Sequence, residues 1–226
     1  KSLRLTLLFT LISVPMKIIF ALFVAMLLNM KIRGINFFRT VYYLPSIMGG
    51  SVAVSILWRF MFMREGIVNR FLALLGLNGV DWLGNPSMAL FTVSLLVVWQ
   101  FGSSMLIFAS GLKQIPKDYY EAAEIDGAGT FRRFFSITLP TLSPIILFNL
   151  IMQLISGFMT FTQAQVITQG GPNYATHYIA LDIFTNGFTF FRMGYACAES
   201  WVMLIIMATL TGIIFKTSSY WTFYEN

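Results

Sequence analysis

Five stretches of this chain, each about 20 residues or longer, consist almost entirely of apolar side chains: residues 5–28, 41–62, 88–112, 142–166 and 194–215. That length matches the hydrocarbon core of a bilayer crossed as a helix. In lipid every backbone N–H and C=O must be satisfied internally, and a helix does this within one segment. The expectation is an all-α integral membrane protein: a polytopic helical bundle with five visible spans, forming one domain over residues 1–226. Composition supports it, since 57% of residues are hydrophobic and 11% charged, against about 25% charged in a soluble domain. No soluble fold of this size hides so much apolar surface. The net charge of +6 does not point to nucleic acid, because the basic residues stand at the ends of apolar runs rather than on one polar face.

Between the spans the chain changes character. Residues 64–87 hold Gly66, Gly76, Gly79, Gly84 and Pro86 and read as a turn-rich loop. Residues 178–191 are apolar but short and broken by Asp182, Asn186 and Gly187, which suits an interfacial or partly buried helix. Gly170-Gly171-Pro172 is a strong helix stop. Pro15 and Lys17 interrupt the first span, and Pro45 with Gly49-Gly50 the second, so these helices are expected to pack on protein rather than lipid. The one cysteine, Cys197, has no partner for an internal disulfide and reads as a small buried hydrophobe. His177 reads as solvent-facing, and Arg59 as snorkelling to an interface. Lys17 has no acidic partner in the sequence pattern and receives no role. The chain begins at Lys1 without an initiator Met and reads as trimmed.

Alternation of the spans sets Lys31, Arg33, Arg39, Lys113, Lys117, Arg132, Arg133 and Lys216 on one side, against Lys1, Arg4, Arg64, Arg70 and Arg192 on the other. The excess of basic residues assigns the first side, with the C-terminus, to the cytoplasm.

Residues 113–140 carry the most information. Pro116 cannot continue a preceding helix. Asp118 can cap a new one, with Glu121 in capping-box position. The helix runs through Ile125 and is expected to stop at Gly127 and Gly129. A second short helix can start at Thr130, carrying Phe131, Phe134 and Phe135, and Pro140 leads into the next span. This helix–turn–helix is too short to cross a bilayer. Its small Ala122 and Ala123 allow close approach of another surface, while Glu121, Glu124 and Asp126 supply charge. A docking knob for a soluble partner and an amphipathic helix lying on the membrane both fit these residues.

The segment resembles the EAA loop of ABC importer permeases, through Glu121-Ala122-Ala123, Glu124-Ile125-Asp126-Gly127-Ala128, and Ile137, Leu139 and Pro140. Further stretches resemble the maltose- and glycerol-phosphate-type branch: Phe37-Phe38-Arg39-Thr40 with Leu44-Pro45, Asp81-Trp82-Leu83, Gly170-Gly171-Pro172, and Phe190-Phe191-Arg192-Met193-Gly194-Tyr195-Ala196. The resemblance covers nearly the whole chain and makes it a single permease domain. It implies a further span before residue 1, ABC-type ATPase subunits docked on residues 118–136, a second and non-identical permease, and an extracellular substrate-binding protein. The implied setting is a bacterial or archaeal plasma membrane.

The chain has no cofactor motif of its own. It lacks a Gly-Lys dipeptide and hence a P-loop, and Arg132 stands where a dinucleotide-binding third glycine is needed. ATP and Mg are therefore expected on the partner ATPases, and no catalytic or metal-binding residue is expected here. The substrate path is expected at Trp99, Gln100, Ser103 and Ser104, and at Asn149, Gln153, Gly157, Thr160 and Gln163. Amides and hydroxyls suit sugar hydroxyls, and aromatics suit the apolar sugar face. Asn149, Gln153, Gly157 and Thr160 keep helical spacing and are expected on one face; bonding between neighbouring helices is the alternative for each.

Three other functions compete. An intramembrane zinc enzyme has only His177 and Cys197 to work with. A stand-alone ion-coupled transporter has only Glu199 within its spans. An ABC importer for another solute (an amino acid, peptide or polyol phosphate) shares the same loop.

Overall fold

The computed structural model describes residues 1–30 and 34–223. Lys31 and Arg33 of the charge comparison lie outside the described residues. Among the described residues, two helices are long and apolar enough to cross a membrane unbroken, α1 (Ser2–Leu27) and α13 (Met193–Ser218), and three bent pairs bring the possible total to five. Pro15 lies inside α1 without breaking it, so the expected interruption does not occur.

The second expected span is a broken pair, α2 (Ile35–Met48) and α3 (Val52–Phe62). The break falls at Gly49-Gly50, with Pro45 tolerated inside α2. The turn-rich loop that follows contains α4 (Ile67–Leu74), an element the glycine count concealed. The buried Asn69 side chain organises this loop. It donates to the carbonyls of Arg64 and Val80 and accepts from the Val80 N–H and the Trp82 indole.

The third span is also bent, by 44° between α5 (Pro86–Trp99) and α6 (Gly102–Gln114). The two breaks satisfy each other's freed backbone groups, as lipid demands. Ser46 Oγ donates to the Gln100 carbonyl at 3.0 Å and accepts from the Ser103 N–H, while Gln100 Nε2 donates to the Gly49 carbonyl at 2.7 Å.

After α6 come α7 (Lys117–Ile125), α8 (Thr130–Arg133), a π-helical turn at Phe134–Thr138, α9 (Leu139–Thr141) and α10 (Ser143–Phe158). The fourth span does not continue to residue 166. It ends at Phe158, and a separate α11 (Thr162–Ile167) follows. Residues 178–191 form a partly buried helix, α12 (Ile179–Phe184), and a π-helical turn at Thr185–Thr189. Tyr178, Ile179 and Leu181 are buried there.

One core joins α1 to α6 and the start of α10, around Phe101, Met105, Phe108 and Leu142. A second packs α1, α3, α5 and α11 around Phe9, Trp58 and Tyr178. In contrast, α13 buries only Ala196, Met203 and Ser218. Its outward face is apolar, and Cys197 lies exposed on it rather than buried. His177 is also not solvent-facing: it is largely buried and pairs with Asp182 at 3.3 Å. Arg59 donates to the Val166 carbonyl instead of reaching only outward.

Candidate functional site

Two features of the bundle have the makings of a site. The first is the helix–turn–helix. Its first helix begins after Pro116, two residues earlier than a cap at Asp118 allows, and no side-chain cap bond forms. The capping box expected at Asp118 and Glu121 is therefore absent; Asp118 lies in the first turn, where its charge still favours the helix dipole. The C-terminus closes as the sequence suggests. Gly127 takes a left-handed φ of +72°, its N–H bonds the Glu124 carbonyl at 3.0 Å, and the Ala128 N–H bonds the Ala123 carbonyl at 2.8 Å. These two bonds make a Schellman motif. Gly129 is not part of this cap. It precedes α8 as the residue from which that helix starts.

The knob is fixed to the spans on one side and open on the other. Tyr120, Phe134, Ile137 and Leu139 pack against the core formed by α1, α6 and Leu142. The Tyr120 hydroxyl and Thr138 Oγ1 lie 2.8 Å apart. On the open side stand Glu121, Ala122, Glu124, Asp126 and Gly127, with Ala123 half-buried. Ile125 is 88% exposed and Phe131 83%. Glu124 bridges to Arg133 at 3.2 Å, tying α7 to α8. The expected coupling residues thus divide: those of α7 and its turn present a surface, while Ile137 and Leu139 anchor it. Pro140 lies half-buried at the start of α9.

The knob lies at the α1 end that carries Leu28. Phe223 reaches the same end, its N–H bonding Ser143 Oγ at 2.8 Å. The opposite end holds a polar network in which Ser2 donates to Asp182, and Asn186 donates to both Asp182 and Glu199.

The second feature is a polar cavity of about 120 Å³ inside the bundle, lined by Lys17, Gln100, Gln153, Gly157, Thr160 and Gln163 among others. Five of the expected path residues therefore meet. The rest do not line it. Trp99 stacks on Trp58 with ring centroids 5.8 Å apart. Ser103 serves the helix breaks, and Ser104 accepts from Gln153 Nε2 at 3.1 Å. Asn149 is buried and donates to its own helix at Ile145. The single helical face also fails at its far end, because α10 stops at Phe158. Thr160 reaches the cavity from the bend beyond it, held by a bond to the Ser156 carbonyl. Lys17 was missed as a cavity residue, although a lysine in mid-span is itself the signal.

A multi-pass helical protein with a polar cavity between its spans and an exposed knob rooted in their core has the build of a membrane translocation subunit. The chain belongs to the family described as "Binding-protein-dependent transport system inner membrane component", which matches residues 2–222. It is 52% identical over 229 residues to the probable ABC transporter permease protein YesP of Bacillus subtilis (strain 168), covering 100% of this chain and 74% of that one. It is 35% identical to the sulfoquinovosyl glycerol transport system permease protein SmoG of Agrobacterium fabrum (strain C58), covering 93% and 69%. Its fold matches a chain in the crystal structure of a bacterial alginate ABC transporter in complex with alginate pentasaccharide-bound periplasmic protein, with a TM-score of 0.82 at 22% identity, covering 96% of this chain and 77% of that one. The protein is thus a multi-pass inner-membrane permease subunit of an ABC importer. This membership sets aside the intramembrane enzyme and the stand-alone transporter.

Proposed function

We propose that this permease carries a sugar or oligosaccharide, and that ABC-type ATPase subunits drive it by docking on the α7–α8 knob. One observation carries the reading: an apolar and acidic surface, at Glu121, Glu124, Ile125 and Phe131, stands exposed on a segment whose other side is packed into the core. An apolar patch rimmed by charge marks a contact with protein or membrane, and the acidic side chains here favour a protein over an anionic leaflet. The partners bind ATP and Mg, and the knob end, with the C-terminus, faces the cytoplasm. A second, non-identical permease completes the path, and a binding protein delivers the solute from the opposite face.

The geometry suggests how the stroke travels. Closure of the ATPase pair on ATP moves the docked knobs together. Tyr120, Phe134, Ile137 and Leu139, which pack against the core of α1 and α6, pass that movement to those helices. The bent spans then exchange inward-open and outward-open arrangements, a bistable rearrangement rather than a smooth deformation. At about 120 Å³ the cavity is smaller than the roughly 300–1,000 Å³ of a complete ligand site. It serves as a point of contact along the path, where Gln100, Gln153, Thr160 and Gln163 offer bonds to sugar hydroxyls. The sulfoquinovosyl glycerol named for SmoG and the alginate named for the structural match support a saccharide solute.

Purification from native membranes in mild detergent, followed by mass spectrometry, tests the assembly. The reading predicts a P-loop ATPase and a second permease bound to this chain. Recovery of the chain with neither would overturn it.

A further inference from the structure

The cavity holds a charge that ATPase docking leaves unused. Lys17 is 7% exposed and lines the cavity with Gln100, Gln153, Thr160 and Gln163. It precedes Leu27 by ten residues, about 15 Å along a helix, which is farther than a lysine can snorkel. A buried charge at membrane depth normally has a partner. Among the described residues Lys17 has none: the ion pairs formed are Arg133–Glu124 and His177–Asp182. The acids nearest the spans are engaged elsewhere, Asp182 by Ser2 and Asn186 and Glu199 by Asn186. Glu65, Asp81, Asp118, Glu121 and Asp126 belong to the connections between spans.

Resting on the permease reading above, we propose that Lys17 binds an anionic oxygen group, a carboxylate or a phosphate, on the passing solute, so that the cargo is an acidic saccharide. The surrounding amides and hydroxyl suit neutral sugar hydroxyls, and the ammonium alone is unmatched. An ammonium is a compact point charge with three donors. It selects for the presence of an anion, while the glutamines bond the sugar around it. A neutral solute leaves the charge as it was; an acidic one supplies the missing partner at the moment of passage.

The test uses the assembled importer, with its ATPases, second permease and binding protein, in sealed vesicles. Three solutes are compared: a uronic-acid oligosaccharide, the same oligosaccharide with each carboxyl reduced to an alcohol, and a sugar phosphate. In the wild type, uptake of an acidic solute exceeds that of the reduced one. In Lys17→Gln the acid-to-neutral ratio falls about tenfold or more, the weight of one charge-assisted hydrogen bond, and in Lys17→Arg it is largely kept. A preference for the sugar phosphate supports the proposal and assigns phosphate as the group. An unchanged ratio in Lys17→Gln overturns the proposal and leaves the saccharide reading standing. Should that variant fail to assemble, the wild type decides, because equal or faster uptake of the reduced sugar overturns the proposal. Uptake of none of the three, with ATP turning over, overturns the saccharide reading and the proposal with it.

Discussion

Replacing Gly127 with valine should uncouple ATP hydrolysis from uptake. The residue closes the Schellman turn between α7 and α8 at φ +72°, and a Cβ added there meets nothing within 4 Å. The penalty is therefore one of backbone conformation, not of crowding within this chain. A residue with a Cβ loses about 1–2 kcal/mol in the left-handed region, and a β-branched one stands at the upper end. That is a factor of roughly 5–30 in the equilibrium constant for holding the two turn bonds. The Glu124–Arg133 bridge across the turn is exposed and offsets little of it. Asparagine tolerates this conformation better than alanine or valine. Solute carried per ATP hydrolysed, measured in vesicles holding the whole importer, should rank Gly, Asn, Ala, Val, with Val below Gly by up to about 5–30-fold. A wild-type ratio in Gly127→Val refutes the reasoning. Asn falling below Ala refutes it too, because bulk against the partner would then govern.

Three further outcomes follow from the packing. A Cβ at Gly102 would overlap the Tyr42 carbonyl oxygen and stand 2.7 Å from the Tyr43 Cα; Gly102→Ala should cost about 1–3 kcal/mol, read as a lower melting temperature in detergent, and an unchanged melting curve counts against the α2–α6 contact. Asn69→Leu strands the Trp82 indole and the Val80 N–H, at about 2 kcal/mol or more. Trypsin should then cut after Arg64 and Arg70 roughly 30-fold faster, and equal cleavage rates contradict this. Glu124→Ala should lower stability by less than about 1 kcal/mol, since it removes one exposed ion pair; a drop beyond about 4 °C in melting temperature shows the pair to matter more than its exposure allows.

The sequence disclosed the spans because hydrophobic length is a direct consequence of bilayer thickness. It disclosed the turn at Gly127 because only glycine takes that conformation cheaply. It concealed the bend at Gln100, where no proline or glycine pair announces a break and the freed carbonyl finds Ser46 from another helix. It concealed the end of α10 at Phe158 for the same reason, and with it the true place of Thr160. Cys197 misled because an apolar neighbourhood in a membrane protein means lipid as readily as core; α13 is apolar and yet most of it lies exposed. His177 misled in the opposite sense, since Asp182 five residues on draws it inward. Within the candidate site, residue types were legible and their meeting was not. Gln100, Gln153 and Gln163 come from three different helices or breaks, and Lys17 joins them only once α1 packs between α5 and α10.

The claim that partner ATPases dock on the knob is tested most directly by contact. A photo-cross-linking residue placed at Ile125, the most exposed apolar position of α7, is activated in native membranes, and the cross-linked peptides are sequenced by mass spectrometry. The account predicts peptides from a P-loop ATPase. Adducts to lipid alone, or to a protein of the opposite membrane face, contradict it.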